Sequence, residues 1–290
     1  SLLDGVPFLS GTTVTAEGVH VLQVTATDIF GNSAFRAVRF TTDKTPPALT
    51  LSGATNRAFS PSPVTLTWTA TDATPTTVVA TLNGLPLQSG DTVSAEGTYV
   101  WTVTATDAAG NSSAETRQFV LDFTAPVITI AGVDEGSQRN TPVQLIFTAS
   151  DSSPVTVTAA LDGAPFASGR IVSTEGPHQL VVTAVDAAGN HATASRSFTL
   201  DLTPPVISVT GVTNGALYAT PRTLTINVSD AAPTTFEATL DGAPFTSGGA
   251  VSADGAHVLT VDARDAAGNT AHATVEFRID STPPVITITG

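Results

Sequence analysis

The chain has 290 residues, 41% hydrophobic and only 12% charged, with a formal charge of −14 at pH 7 and no cysteine. Its 11 Lys and Arg form no cluster that could neutralise a run of phosphates, which excludes nucleic acid as a partner, and the missing thiols exclude disulfides, thiolate metal sites and a Cys nucleophile. No apolar run reaches the roughly 18 residues needed to span a bilayer, and 23 Gly and 19 Pro among many Thr and Val describe strands and turns rather than helices.

Self-comparison sets the frame for the elements. Asp43, Asp122, Asp201 and Asp280 each open the motif Asp-x-Thr-(Pro/Ala)-Pro at a spacing of 79 residues. The same period carries Asp28, Asp107, Asp186 and Asp265 in Asp-x-x-Gly-Asn, and Gly5, Gly84, Gly163 and Gly242 in (Asp/Asn)-Gly-x-Pro. Residues 1–42 are then the C-terminal half of one repeat, 43–121, 122–200 and 201–279 are complete repeats, and 280–290 start the next. A half-repeat at the N-terminus means either a stretch excised from a longer array or strands supplied by another chain.

Within 122–200 the elements follow from alternation and punctuation. Val127 to Ala131 is the first strand. Val143, Leu145, Phe147 and Ala149 alternate with polar residues in a second strand that ends at Asp151 and a Ser-Pro turn, and Val155 to Leu161 makes the third. Asp162-Gly163 turns the chain, and short segments near Ala164 to Ala167 and Arg170 to Ser173 follow. His178 to Val185 places Leu180, Val182 and Ala184 on one face, and His191 to Leu200 returns with Phe198 inward. About seven strands in 79 residues predict an all-β fold of tandem immunoglobulin-like β-sandwiches. At roughly 3.3 Å per strand residue the units predict an elongated array.

The stretch Glu96 to Asn111, with Gly97-Thr-Tyr-Val-Trp-Thr-Val-Thr-Ala-Thr-Asp107 inside it, followed by Asp122-Phe-Thr-Ala-Pro126, resembles the bacterial Ig-like repeats of large surface adhesins. The resemblance covers essentially the whole chain. It implies stalk modules of secreted or cell-surface proteins, with calcium at the junctions of several members stiffening the stalk. The expected partners are neighbouring Ig-like domains of the same chain, and the half-repeat at 1–42 adds self-association into fibres as an alternative.

The carboxylates are the one polar constellation that recurs in register. The loops after the second strand and between the last two strands share a pole of such a sandwich with the residue where the chain enters. This groups Asp43 with Asp72 and Asp107, Asp122 with Asp151 and Asp186, and Asp201 with Asp230 and Asp265. Three carboxylates at one pole repel one another unless a cation or hydrogen-bond donors intervene, and hard oxygen ligands suit Ca²⁺. Glu96 and Asn83 of the preceding repeat are expected to face the junction at Asp122, and Glu175 and Asp162 the one at Asp201. The alternative is that these aspartates only cap turns.

His20, Tyr99, His178 and His257 share one repeat position, where such sandwiches place a Tyr whose hydroxyl bonds the adjoining corner. Trp68 and Trp101 align with Phe147 and Leu180 and read as core rather than a sugar platform. No nucleophile elbow, phosphate-cradling loop or fixed Ser–His–Asp relation is present, so no enzyme is expected. The expected role is an extracellular stalk or spacer. A subunit of a filament assembled through Ig-like domains or by strand exchange and a glycan- or protein-binding module are the alternatives, the latter to be marked by one copy diverging in a patch.

Overall fold

In the computed structural model, which describes residues 1–288, the chain alternates strands and turns and forms no helix among those residues. By contact the chain divides into two compact units. One holds Ser1–Ala125 with Asp151–Pro154 and Asp186–Asn190, and the other holds Pro126–Ser150, Val155–Val185 and the residues from His191 onward.

In the first unit, residues 1–42 form a four-stranded sheet in the order Val6–Pro7, Leu2–Leu3, Gly18–Thr27, Ser33–Thr42. Residues 48–121 form a five-stranded sheet, Leu85–Pro86, Thr76–Leu82, Gly97–Asp107, Ser112–Leu121 and Ala58–Ser60 in that order, together with the pairs Ala48–Ser52 with Thr67–Thr71 and Val64–Thr65 with Thr92–Val93. Their inner faces close on Leu51, Leu66, Trp101, Val103 and Phe119.

In the second unit the same arrangement recurs twice. Ser137–Arg139, His191–Leu200, Gly176–Asp186, Val155–Leu161 and Ala164–Pro165 make one five-stranded sheet, over a core of Val143, Leu145, Phe147, Leu180, Val182 and Phe198. Residues 206–279 repeat it over Leu224, Ile226, Leu259, Val261 and Phe277. Each core is therefore drawn from one 79-residue span.

The alternation expected for the penultimate strand holds, since Leu180, Val182 and Ala184 are wholly buried. Inward Leu and Val of this kind each contribute roughly 1.5–3 kcal/mol by leaving water. Phe119, Phe198 and Phe277 are buried, while Phe40 is only partly so. Trp101 is fully buried and Trp68 packs beside it with ring centroids 6.1 Å apart, so both are core residues.

Two differences from the expected strands have physical causes. The second strand is broken at Leu145: Val143–Gln144 pairs with Ile171–Val172, and Ile146–Ser150 pairs with Val127–Ala131. The buried Leu145 sits at the crossing, its N–H donating to Arg170 O and its carbonyl accepting from Gly169 N–H. Gly132 allows this approach. A Cβ there would lie 2.1 Å from Gln144 O, and its φ of +107° is one that side chains resist; Gly53 and Gly211 repeat the contact. The other difference is an additional strand, Ser137–Arg139, running parallel to His191–Leu200. The repeat expected to begin at 280 has no strand over 281–288, and 289–290 lie outside the described residues.

Candidate metal centres at the repeat junctions

The loop between the last two strands is built by its first aspartate. Asp107 Oδ1 accepts the N–H groups of Ala109 and Asn111 at 2.9 and 2.8 Å, and Oδ2 accepts Asn111 Nδ2 at 2.8 Å. Asp186 with Asn190 and Asp265 with Asn269 repeat the pattern, and Asp28 with Asn32 shows it in the first sheet. Burial pushes the Asp107 and Asp265 carboxyls up, but the hydrogen bonds from the Asn side chain and from the loop backbone outweigh it, and both lie below the usual value. The loop thus holds a buried anion in place.

The same asparagines do more than turn the chain. Asn111 Nδ2 also donates to Asp43 O at 3.2 Å, Asn190 Nδ2 to Asp122 O at 2.8 Å, and Asn269 Nδ2 to Asp201 O at 2.9 Å. Each fixes the carbonyl of the residue where the chain enters the next repeat. From the other side, Glu17, Glu96 and Glu175 accept the N–H of the following residue, Lys44, Phe123 and Leu202, at 2.9, 2.6 and 2.8 Å. Asp254 does the same for Ser281 and also accepts the Ser281 and Thr282 hydroxyls, bonds that pull its pKa down to about 2. The linker is held by acceptors from one repeat and a donor from the next.

The structure brings together all nine expected aspartates. Asp43, Asp72 and Asp107, then Asp122, Asp151 and Asp186, then Asp201, Asp230 and Asp265, form three groups whose oxygens lie within 4.8 Å of one another. Among the described residues, no Lys or Arg forms an ion pair with any of them. Carboxylates this close repel one another, and donors or a cation must offset that repulsion. Two ligands on opposite sides of Ca²⁺ are roughly 4.6–5.2 Å apart, so oxygens this close are near enough to share one such ion. The fit is tested most sharply at Asp201, which is 8% exposed and whose Oδ2 has no hydrogen-bond partner.

The expected additional ligands do not join these groups. Glu96 and Glu175 each accept a linker N–H through Oε1, and Glu96 Oε1 also accepts the Thr124 hydroxyl at 2.8 Å. The reason is distance along the chain: the backbone donor after the junction aspartate reaches them first. Asn83 and Asp162 are exposed turn residues that bond within their own repeat. Asn83 Oδ1 accepts Val100 N–H, and Asp162 accepts Gln179 N–H and contacts His178 Nδ1 at 2.7 Å.

At the shared corner position, Tyr99 Oη donates to Ala95 O at 2.8 Å, the bond expected of a tyrosine corner. His178 and His257 reach Thr174 O and Ala253 O in the same way.

The fold and these junctions define a chain of tandem Ig-like β-sandwiches. Residues 170–254 match the family described as bacterial Ig-like domain (group 3), in keeping with a chain of bacterial Ig-like repeats. The matched segment runs from the middle of one sandwich into the next and includes Glu175, Asp201 and Asp230. Hyalin of Strongylocentrotus purpuratus is 30% identical over a 318-residue alignment that takes in 98% of this chain and 25% of hyalin, so the chain spans about a quarter of that relative. Among solved structures, the titin I-band fragment I67–I69 and its E-to-A variant superpose with a TM-score of 0.50 at 13% identity. They cover 82% of this chain and all of the titin fragment, a likeness of fold.

Proposed function

We propose that the chain is a non-catalytic structural spacer of a bacterial extracellular or cell-surface protein, in which the repeats 43–121, 122–200 and 201–279 stand in series and their junctions are stiffened by calcium. The observation that carries this is the clamp on each linker. At all three complete junctions an Asn of the following repeat holds the carbonyl of the junction Asp, while a Glu of the preceding repeat holds the next N–H. The loop between the last two strands of each repeat is thereby committed to the linker. Proline within each Asp-x-Thr-(Pro/Ala)-Pro segment restricts it further.

Scanning calorimetry of the whole chain with calcium and with chelator tests the reading. An ion that binds only the folded state at about 100 times its Kd adds roughly 2.7 kcal/mol. Replacing Asp72, Asp151 and Asp230 together by Ala should remove that gain. Identical melting in calcium and chelator would leave the clamps and prolines as the whole account of the junctions.

One observation favours a second reading, a protein- or glycan-binding module. On the sheet of 206–279, the outward Glu237, Asp262, Arg264 and His272 and the partly exposed Phe236 stand where 122–200 has Thr158, Thr183, Val185, Thr193 and Val157. They line an open cleft of about 500 Å³. Binding that is lost on replacing these five by their counterparts would favour this reading over a pure spacer.

A further inference from the structure

The three aspartate groups are equivalent by position and unequal in what surrounds them. The difference lies in the two residues between the second aspartate and the following proline: Ala73-Thr74, Ser152-Ser153 and Ala231-Ala232. At the first group, Thr74 Oγ1 lies 2.8 Å from Asp43 Oδ2 and 3.0 Å from Asp72 Oδ1, so its single proton is shared between two carboxylates. At the second group, the Ser153 hydroxyl donates to Asp122 Oδ2, and the Ser152 hydroxyl shares its proton between Asp122 Oδ2 at 3.3 Å and Asp151 Oδ1 at 3.1 Å. At the third, Ala231 and Ala232 offer no hydroxyl. There Thr203 donates only to Asp201 Oδ1, and Oδ2 has no partner.

A buried carboxylate oxygen without a donor is costly, and leaving it beside Asp230 and Asp265 compounds the cost. A hydroxyl on that oxygen lowers the penalty in the absence of an ion and occupies the lone pair that an ion would take. Where the hydroxyl is absent, a cation can meet the oxygen without displacing a protein donor.

Resting on the reading of these groups as calcium sites, we propose that the junctions are graded: Asp201, Asp230 and Asp265 hold the cation most tightly, and the hydroxyls of Thr74, Ser152 and Ser153 act as built-in substitutes for it at the other two. The Asp122 group, with two hydroxyls on one oxygen, is the least dependent on the ion. The array then has one junction that responds to low calcium and two that keep their geometry as calcium falls.

Calorimetric titration of the whole, chelator-stripped chain with CaCl₂ tests the grading. One tight site and two weaker ones are expected, the tight one disappearing in Asp201→Asn. Ala232→Ser should weaken that site about tenfold, the factor for one hydrogen bond that the ion must displace. The double variant Ser152→Ala, Ser153→Ala should gain a second tight site, and this arm carries the test if Ala232→Ser fails to fold. Three equal sites that ignore these substitutions would overturn the grading and leave the calcium reading intact. Tighter binding in Ala232→Ser would also overturn it, because the hydroxyl would then be a ligand. No binding at any junction would overturn the calcium reading itself, and the grading with it.

Discussion

The corner of the sandwich spanning 48–121 is neutral, and the corresponding corners of 127–200 and 206–279 are ionic. In the first, Tyr99 bonds Ala95 O, and the turn residue beside it is Asn83. In the others, His178 and His257 face Asp162 and Asp241 at 2.7 and 2.8 Å through Nδ1, and Thr174 O and Ala253 O at 2.7 and 2.9 Å through Nε2. Both nitrogens of each imidazole thus face acceptors, which only the doubly protonated ring satisfies. The exchange is paired: Tyr goes with Asn and His goes with Asp, as His20 does with Asp4. The turn keeps one shape throughout, with φ of 50° at Asn83 and 53° at Asp162 and Asp241. One backbone is therefore held by two chemistries, and only one of them titrates.

The largest effect that separates the two kinds of repeat lies beneath this corner. Trp101 occupies the core position that Leu180 and Leu259 occupy elsewhere, and all three are fully buried. Trp101→Ala should destabilise its repeat by about 3–5 kcal/mol, at the upper end of the roughly 2–5 kcal/mol for Leu180→Ala, measured by denaturant unfolding. An equal or smaller loss at Trp101 would mean that the larger ring adds nothing to that core.

Gly53→Ala and Gly132→Ala provide the matched control, because both added Cβ atoms meet a carbonyl oxygen at 2.1 Å. Each should cost at least about 1–3 kcal/mol of backbone strain, and by similar amounts in the two repeats. A large difference would show that the repeats do not share this strand crossing.

The corner itself predicts a pH dependence. The Ala253 carbonyl and Asp241 raise the His257 pKa above its usual 6.5, and for His178 burial opposes but Asp162 and the Thr174 carbonyl prevail. Asp162 and Asp241 lie below 3.8 in return. A raised His pKa stabilises fully below 6.5, and that contribution is lost as pH rises through the folded value; the lowered Asp contribution is lost only as pH falls below 3.8. The melting of 122–200 and 201–279 should therefore decline as pH rises from 6 toward 8, and that of 43–121 should not. Carrying Asp162→Asn and His178→Tyr together should make the second repeat behave as the first, whereas Asp162→Asn alone should lower the His178 pKa followed by NMR.

The smallest effect concerns the clamp, which is common to all the junctions. Asn111→Ala or Asn190→Ala removes bonds to the loop aspartate and to the linker carbonyl, and should cost about 1 kcal/mol per lost bond. Equal losses at the two positions would show that neutral and ionic repeats share one junction.

Much of this was legible in the sequence because the period has no gaps. Val127–Ala131 and Val155–Leu161 fall where alternation puts them, and the nine aspartates meet as the topology requires. Ser137–Arg139 was not legible: its residues are polar, and the strand is held by backbone pairing, with Glu135 Oε2 accepting Ser197 N–H. The roles of Glu96 and Glu175 were hidden for a related reason. Spacing places an acid at the correct pole without saying which donor reaches it first. The asparagines of Asp-x-x-Gly-Asn were visible as turn formers, but their second bond, to a carbonyl 68 residues earlier, has no local signal.

Small-angle scattering of the whole chain, in calcium and in chelator, tests the spacer most directly. Strands of about eight residues at roughly 3.3 Å each, plus loops, give about 35–40 Å per repeat and a maximum dimension on the order of 130 Å. The account predicts that length in calcium, with little bending, and a modest loss of stiffness in chelator. A compact particle, with repeats folded back side by side in either condition, would contradict it.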